Sequence, residues 1–113
     1  MGYKVVGVTA CIMGVAHTYM SAESLRKFCK KDPRIDSVHV ETQGSIGIED
    51  ELKKQWIEEA DIVILTNEIQ IKNRDRFDGK IIHEINGDKL IKYPKLVMDE
   101  AIALYEEKYP SKL

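Results

Sequence analysis

The chain has 113 residues, 43% hydrophobic and 32% charged, with a formal net charge of −2; this predicts one compact domain over residues 1–113 rather than a disordered or two-core chain. No apolar run approaches the roughly 20 residues of a spanning helix, the N-terminal stretch lacks the apolar length and cleavage site of a signal peptide, and no basic excess suits nucleic acid. The expected location is the cytoplasm, where Cys11 and Cys29 remain separate thiols.

Lys4 to Ala10 is a valine-rich run that predicts a first strand, followed by a loop from Cys11 to His17. From Thr18, the residues Ala22, Leu25, Phe28 and Cys29 recur at helical spacing, with Glu23, Arg26, Lys27 and Lys30 opposite, and this helix ends near Asp32-Pro33. Ser37 to Thr42 alternates as a second strand, closed by Gly44-Ser45-Ile46-Gly47. Glu49, Asp50 and Glu51 suit a helix N-terminus, with Ile48, Leu52 and Trp56 spaced along one face. Ile62 to Leu65 is uninterrupted and apolar, the pattern of a strand covered on both faces. Lys80 to Glu84 predicts a fourth strand, and Pro94 opens a last helix with Val97, Ala101, Leu104 and Tyr105 on its inner face. The alternation implies an α/β fold: three αβα layers around a mainly parallel four-stranded sheet, Rossmann-like. Such sheets bind ligands beyond the carboxyl ends of their strands, where the Cys11 loop falls.

A cysteine placed after a strand and before a helix has amide N–H groups and a helix dipole directed at its sulfur. These favour a thiolate and equally a phosphoryl dianion, with Cys11 as nucleophile and Ile12, Met13, Gly14, Val15, Ala16, His17 and Thr18 as the phosphate-binding segment. Gly14 eases the turn and Ala16 lets the backbone approach the anion. The plain alternative for Cys11 is a small buried hydrophobe. His17 suits either a donor to the phosphoryl group or a packing residue; Thr18 suits a hydroxyl donor or, more simply, a helix cap. Cys29 falls on the apolar helix face and reads as core. His39 and His83 have no metal-ligand spacing, and Trp56 and the methionines read as packing.

The loop also has the spacing of a tyrosine-phosphatase loop, with His17 where that loop carries arginine. Imidazole cannot form arginine's bidentate clamp on phosphate oxygens, so the phosphatase reading weakens and retention for onward transfer gains. A non-catalytic regulatory domain is the third alternative.

Several segments together are far more specific than the loop: Ala10-Cys11 with Gly14-Val15-Ala16-His17-Thr18-Tyr19-Met20 and Ala22-Glu23, then Val40-Glu41-Thr42-Gln43-Gly44-Ser45-Ile46-Gly47, Ala60-Asp61, Arg76-Phe77 and Gly79-Lys80. They resemble the IIB component of the fructose family of the phosphoenolpyruvate-dependent sugar phosphotransferase system. The resemblance implies a phosphocysteine at Cys11, charged by a phosphohistidine on a IIA protein or domain and discharged to fructose or a fructose-like sugar held by the membrane permease component, IIC. It implies no metal or organic cofactor. Both partners would meet overlapping surfaces around Cys11, with Gln43 to Gly47 and Asn67 to Arg76 as candidate rims. One departure is plain: the family usually has Pro-Thr after the cysteine, and this chain has Ile12-Met13, which restores a backbone N–H and removes a hydroxyl.

Overall fold

The computed structural model of the chain describes residues 2–10 and 15–110. The strand β1 (Tyr3–Thr9) lies between β2 (Ile35–Gly44) and β4 (Ile62–Thr66), parallel to both; β5 (Ile81–Ile85) continues the parallel set beside β4, and β3 (Gly47–Glu49) runs antiparallel along β2. The sheet order is therefore β3-β2-β1-β4-β5. Val5, Val6 and Val8 of β1 and all of Ile62 to Leu65 are buried. Their β-branched side chains fill both faces of the central strands, as a sheet sandwiched between helices requires.

One face is covered by α1 (Val15–Lys31), α3 (Gly87–Lys92) and α4 (Pro94–Lys108). There Val5, Val40, Ile62 and Ile64 pack against Ala22, Leu25, Cys29, Leu90, Val97, Met98 and Ala101. Gly7 lets α1 lie close to the sheet, because a Cβ at that position would sit 2.8 Å from Leu25 Cδ2 and 3.2 Å from the Ile64 carbonyl oxygen. The opposite face is thinner. It is closed by the six-residue α2 (Lys54–Glu59) and a 3₁₀ turn, Arg74–Phe77, with Val6, Val8, Val63 and Leu65 packed against Leu52, Ile57, Ile71 and Phe77.

The four parallel strands agree with the sequence reading, but the sheet has a fifth. Gly47–Glu49 forms β3 where the acidic run suggested a helix start, and Asp50 follows with φ 53°, a left-handed conformation that a helix cannot contain. The second helix consequently begins only at Lys54. The first helix begins earlier than expected, at Val15, so Val15, Ala16 and His17 belong to its first turn rather than to the loop. Thr18 is its fourth residue, which removes the capping role expected for it. Leu104, placed on the inner face of α4 by its spacing, is 39% exposed. α3 and the 3₁₀ turn were not visible in the periodicity, being too short to repeat.

Candidate functional site

The chain leaves β1 for β2 on one side and reaches β4 on the other, so the crevice between the ends of β1 and β4 is the sheet's topological switch point. Ala10, fully buried, follows β1 there, and Cys11 is the next residue. Cys11, Ile12, Met13 and Gly14 lie outside the described residues, as does the side chain of Val15. The site is therefore built from its two flanks, Ala10 on one side and the first turn of α1 on the other.

Each flank is tied by a buried threonine hydroxyl. Thr66, the last residue of β4, accepts the Ala10 N–H at 2.8 Å and donates its hydroxyl to the Ala10 carbonyl at 3.0 Å. Thr9 donates to the Thr18 carbonyl at 3.0 Å, joining the end of β1 to the start of α1. Ser21 donates to the same carbonyl at 2.9 Å. Neither threonine at the sheet edge was singled out from the sequence, where a hydroxyl at the end of an apolar run gives no signal until its partner strand is known.

His17 is brought to a partner 71 positions away: Nε2 lies 2.8 Å from Asp88 Oδ1. The hydrogen bond to His17 holds the Asp88 carboxyl below its ordinary range, so Asp88 is the acceptor and Nε2 carries the proton. Nδ1 is buried and has no hydrogen-bond partner among the described residues. His17 is thus a side chain held by Asp88 through Nε2, which agrees with the packing reading of it; with the proton on Nε2, Nδ1 is an acceptor. Asp88 stands at the start of α3, whose N-cap Asn86 accepts from the Lys89 N–H at 2.8 Å, while Glu68 accepts the Gly87 N–H. The signal for this turn, Asn-Gly-Asp after a strand, is present in the sequence.

The two expected rims are brought together. Gln43 of β2 accepts the Lys72 N–H at 2.8 Å and donates to the Lys72 carbonyl at 3.1 Å. Beneath them Glu41, with no exposed surface, receives a two-pronged bond from Arg76 at 2.8 and 2.6 Å, a bond from Gln43 at 2.9 Å and the Leu52 N–H at 3.0 Å. Burial pushes the Glu41 carboxyl up, but the bonds from Arg76, Gln43 and Leu52 outweigh it and hold the group below its ordinary value. Above this network the β2–β3 turn and residues 69–72 frame a cleft of about 150 Å³. Ile46 at the turn is 71% exposed, Met20 on α1 is 55% exposed, and Ile69 is 38% exposed. Met20 therefore departs from the packing role expected of the methionines; Met98 keeps it.

The remaining candidates are accounted for by packing. Cys29 is buried on α1, and burial pushes its thiol up to about 12. The His39 ring stacks on Trp56 at 3.7 Å and an interplanar angle of 3°, and His83 Nε2 meets Glu100 at 2.9 Å. Among the described residues, no helix is long and apolar enough to cross a membrane.

Parallel α/β sheets bind ligands of many kinds at their switch point, and comparison with known proteins narrows the class. Residues 6–100 match the family described as PTS system, Lactose/Cellobiose specific IIB subunit. The chain is 46% identical over 97 residues to the PTS system fructose-like EIIB component 2 of Escherichia coli, covering 86% of this chain and 90% of that protein. It is 36% identical over 100 residues to the PTS system fructose-specific EIIB'BC component of Vibrio cholerae, covering 88% of this chain and 17% of that protein. A crystal structure of a domain of the fructose-specific IIABC component of Borrelia burgdorferi superposes with a TM-score of 0.82 at 39% identity, covering 91% of this chain and 96% of the other. The chain belongs to the IIB family of the sugar phosphotransferase system, fructose type, and is a phosphotransferase component.

Proposed function

We propose that the chain acts as one IIB unit, residues 1–113, that carries a phosphoryl group on Cys11 between a IIA donor and a sugar held by a membrane IIC component. The observation that carries this reading is the placing of the two flanks: the buried Ala10 at the switch point immediately precedes Cys11 in the sequence, and α1 begins four residues after that cysteine. Amides in a helix's first turn have no carbonyl four residues back within the helix, so the N–H groups of Val15, Ala16 and His17 are the donors assigned to the phosphoryl group in this proposal. Ile12, Met13, Gly14 and Thr18 complete the proposed cradle, with Ile12 contributing an N–H where the usual proline has none.

In the first step Cys11 Sγ attacks the phosphorus of a IIA phosphohistidine; the S–P bond forms, and the P–N bond breaks with its electron pair returning to the imidazole. In the second, a sugar hydroxyl attacks the same phosphorus, the S–P bond breaks with its pair returning to sulfur, and the hydroxyl proton passes to a base on the sugar-bearing partner. Alignment and charge stabilisation are what phosphoryl transfer asks of a protein, and no cofactor enters either step. The exposed Ile46, in the turn that lines the cleft, and Ile69 of its other wall supply apolar surface that both partners can use in turn. A partner IIC agrees with the name of the Vibrio cholerae EIIB'BC component, which joins B and C. The working site is the cytoplasm, at the inner face of the membrane while IIC is engaged. Fructose or a fructose-like sugar is the proposed acceptor.

The test is to incubate the chain with phosphoenolpyruvate, the general phosphotransferase proteins and a fructose-type IIA, then map the product by mass. One phosphoryl group on Cys11, absent in Cys11→Ser, is the expected result. No adduct, while a standard fructose-type IIB is charged alongside, would sink the proposal and favour a regulatory role.

A further inference from the structure

We infer that Thr66 is a positioning residue for Cys11, acting through Ala10. The inference rests on the reading of Cys11 as nucleophile. The paired register of β1 and β4 ends at Val8 and Leu65, so Ala10 lies beyond the last paired residue. A residue there has lost its ladder bonds and would otherwise be free to take several orientations. Thr66 replaces the ladder with a side chain: one hydroxyl accepts the Ala10 N–H at 2.8 Å and donates to the Ala10 carbonyl at 3.0 Å. A hydroxyl has one proton to give and lone pairs to receive, so both bonds use it in its proper roles. Thr66 is 1% exposed and Ala10 fully buried, which leaves no water to compete.

The Ala10 carbonyl belongs to the peptide bond that leads into Cys11. Because a peptide unit is planar, gripping that carbonyl restricts the direction in which the chain enters the cysteine. Reactions governed by alignment are sensitive to such control; a misplacement of about 1 Å can cost about 100-fold. A threonine that merely satisfied the end of β1 would affect stability and leave the chemistry per folded molecule unchanged. A positioning threonine affects both.

Two measurements on the full chain separate these outcomes. The first is the pH profile of Cys11 alkylation by iodoacetamide, with the buried Cys29 as the slow internal reference. The second is single-turnover transfer from phosphorylated IIA at saturating donor. Thr66→Val, equal in shape but without the hydroxyl, is expected to slow transfer about 10- to 100-fold with little change in the donor KM. It is also expected to shift the alkylation profile, and Thr66→Ser should restore both. A folded Thr66→Val with wild-type transfer and a wild-type profile overturns the inference. Should the wild-type chain accept no phosphoryl group, the carrier reading fails by itself, and the alkylation profile alone decides the role of Thr66. If Thr66→Val does not fold, Thr66→Ser decides by the same two measurements against Thr66→Ala: slowed transfer and a shifted profile in Thr66→Ala that Thr66→Ser restores support the grip, and wild-type transfer and profile in Thr66→Ala overturn it.

Discussion

The two faces of the sheet are held by different physics. On the α1, α4 side the contact is almost wholly apolar, from Val5 and Ile64 through Leu25, Val97, Met98 and Ala101, all nearly without exposed surface. On the α2 side the apolar layer is shorter, and beside it lies the Glu41–Arg76 ion pair with Gln43 and Leu52 around it. Burial of hydrocarbon is non-directional and indifferent to pH, whereas a buried charge pair depends on geometry and on protonation. The first face supports the fold. The second sets how the β2–β3 turn and residues 67–76 stand relative to each other, and so shapes the proposed rims.

The largest effect expected from breaking this difference is on the charged face. Arg76→Ala leaves Glu41 buried without its counter-charge and is expected to cost about 3–5 kcal/mol in urea unfolding. Glu41→Leu combined with Arg76→Met should lose much less, because no uncompensated charge remains. On the apolar face, Gly7→Ala forces a methyl against Leu25 and the Ile64 carbonyl, and is expected to cost about 1–3 kcal/mol. A wild-type unfolding midpoint in that variant would mean that α1 is free to move outwards.

The pH dependence sharpens the same contrast. The Glu41 carboxyl is held lower in the folded state than its ordinary value of about 4.3, so its contribution is fully present above that value and lost as pH falls through the folded one. Unfolding of the wild type should therefore weaken more steeply below about pH 4.3 than that of the Glu41→Leu, Arg76→Met variant. Equal slopes for the two would remove Glu41 as the acid-sensitive group. The smallest stability effect is expected at Ile46, 71% exposed: Ile46→Ser should stay within about 0.5 kcal/mol of wild type while raising the KM for IIA. An unchanged KM would take the turn out of the proposed docking rim.

Much of the fold was legible because its signals are local. Ile62 to Leu65 has no polar residue to mislead, and the α1 stripe of Ala22, Leu25 and Cys29 repeats long enough to set a helical period. The misses share a cause as well. A three-residue strand such as β3 has no period, and its acidic flank carries the composition of a helix start. Only the φ of Asp50 and pairing with β2 decide between them.

For the site, a cysteine between a strand and a helix was readable from the residues alone, because strand and helix periods are written in neighbouring residues. The same residues carry the resemblance that the family comparisons agree with. What surrounds that segment was decided by tertiary structure alone. Thr66 meets Ala10 across 56 positions, Asp88 meets His17 across 71, and Arg76 meets Glu41 across 35. A hydrogen bond acts over about 3 Å in space and leaves no periodic trace along the chain, so such partners exist only once parallel strands and their crossovers have brought them together.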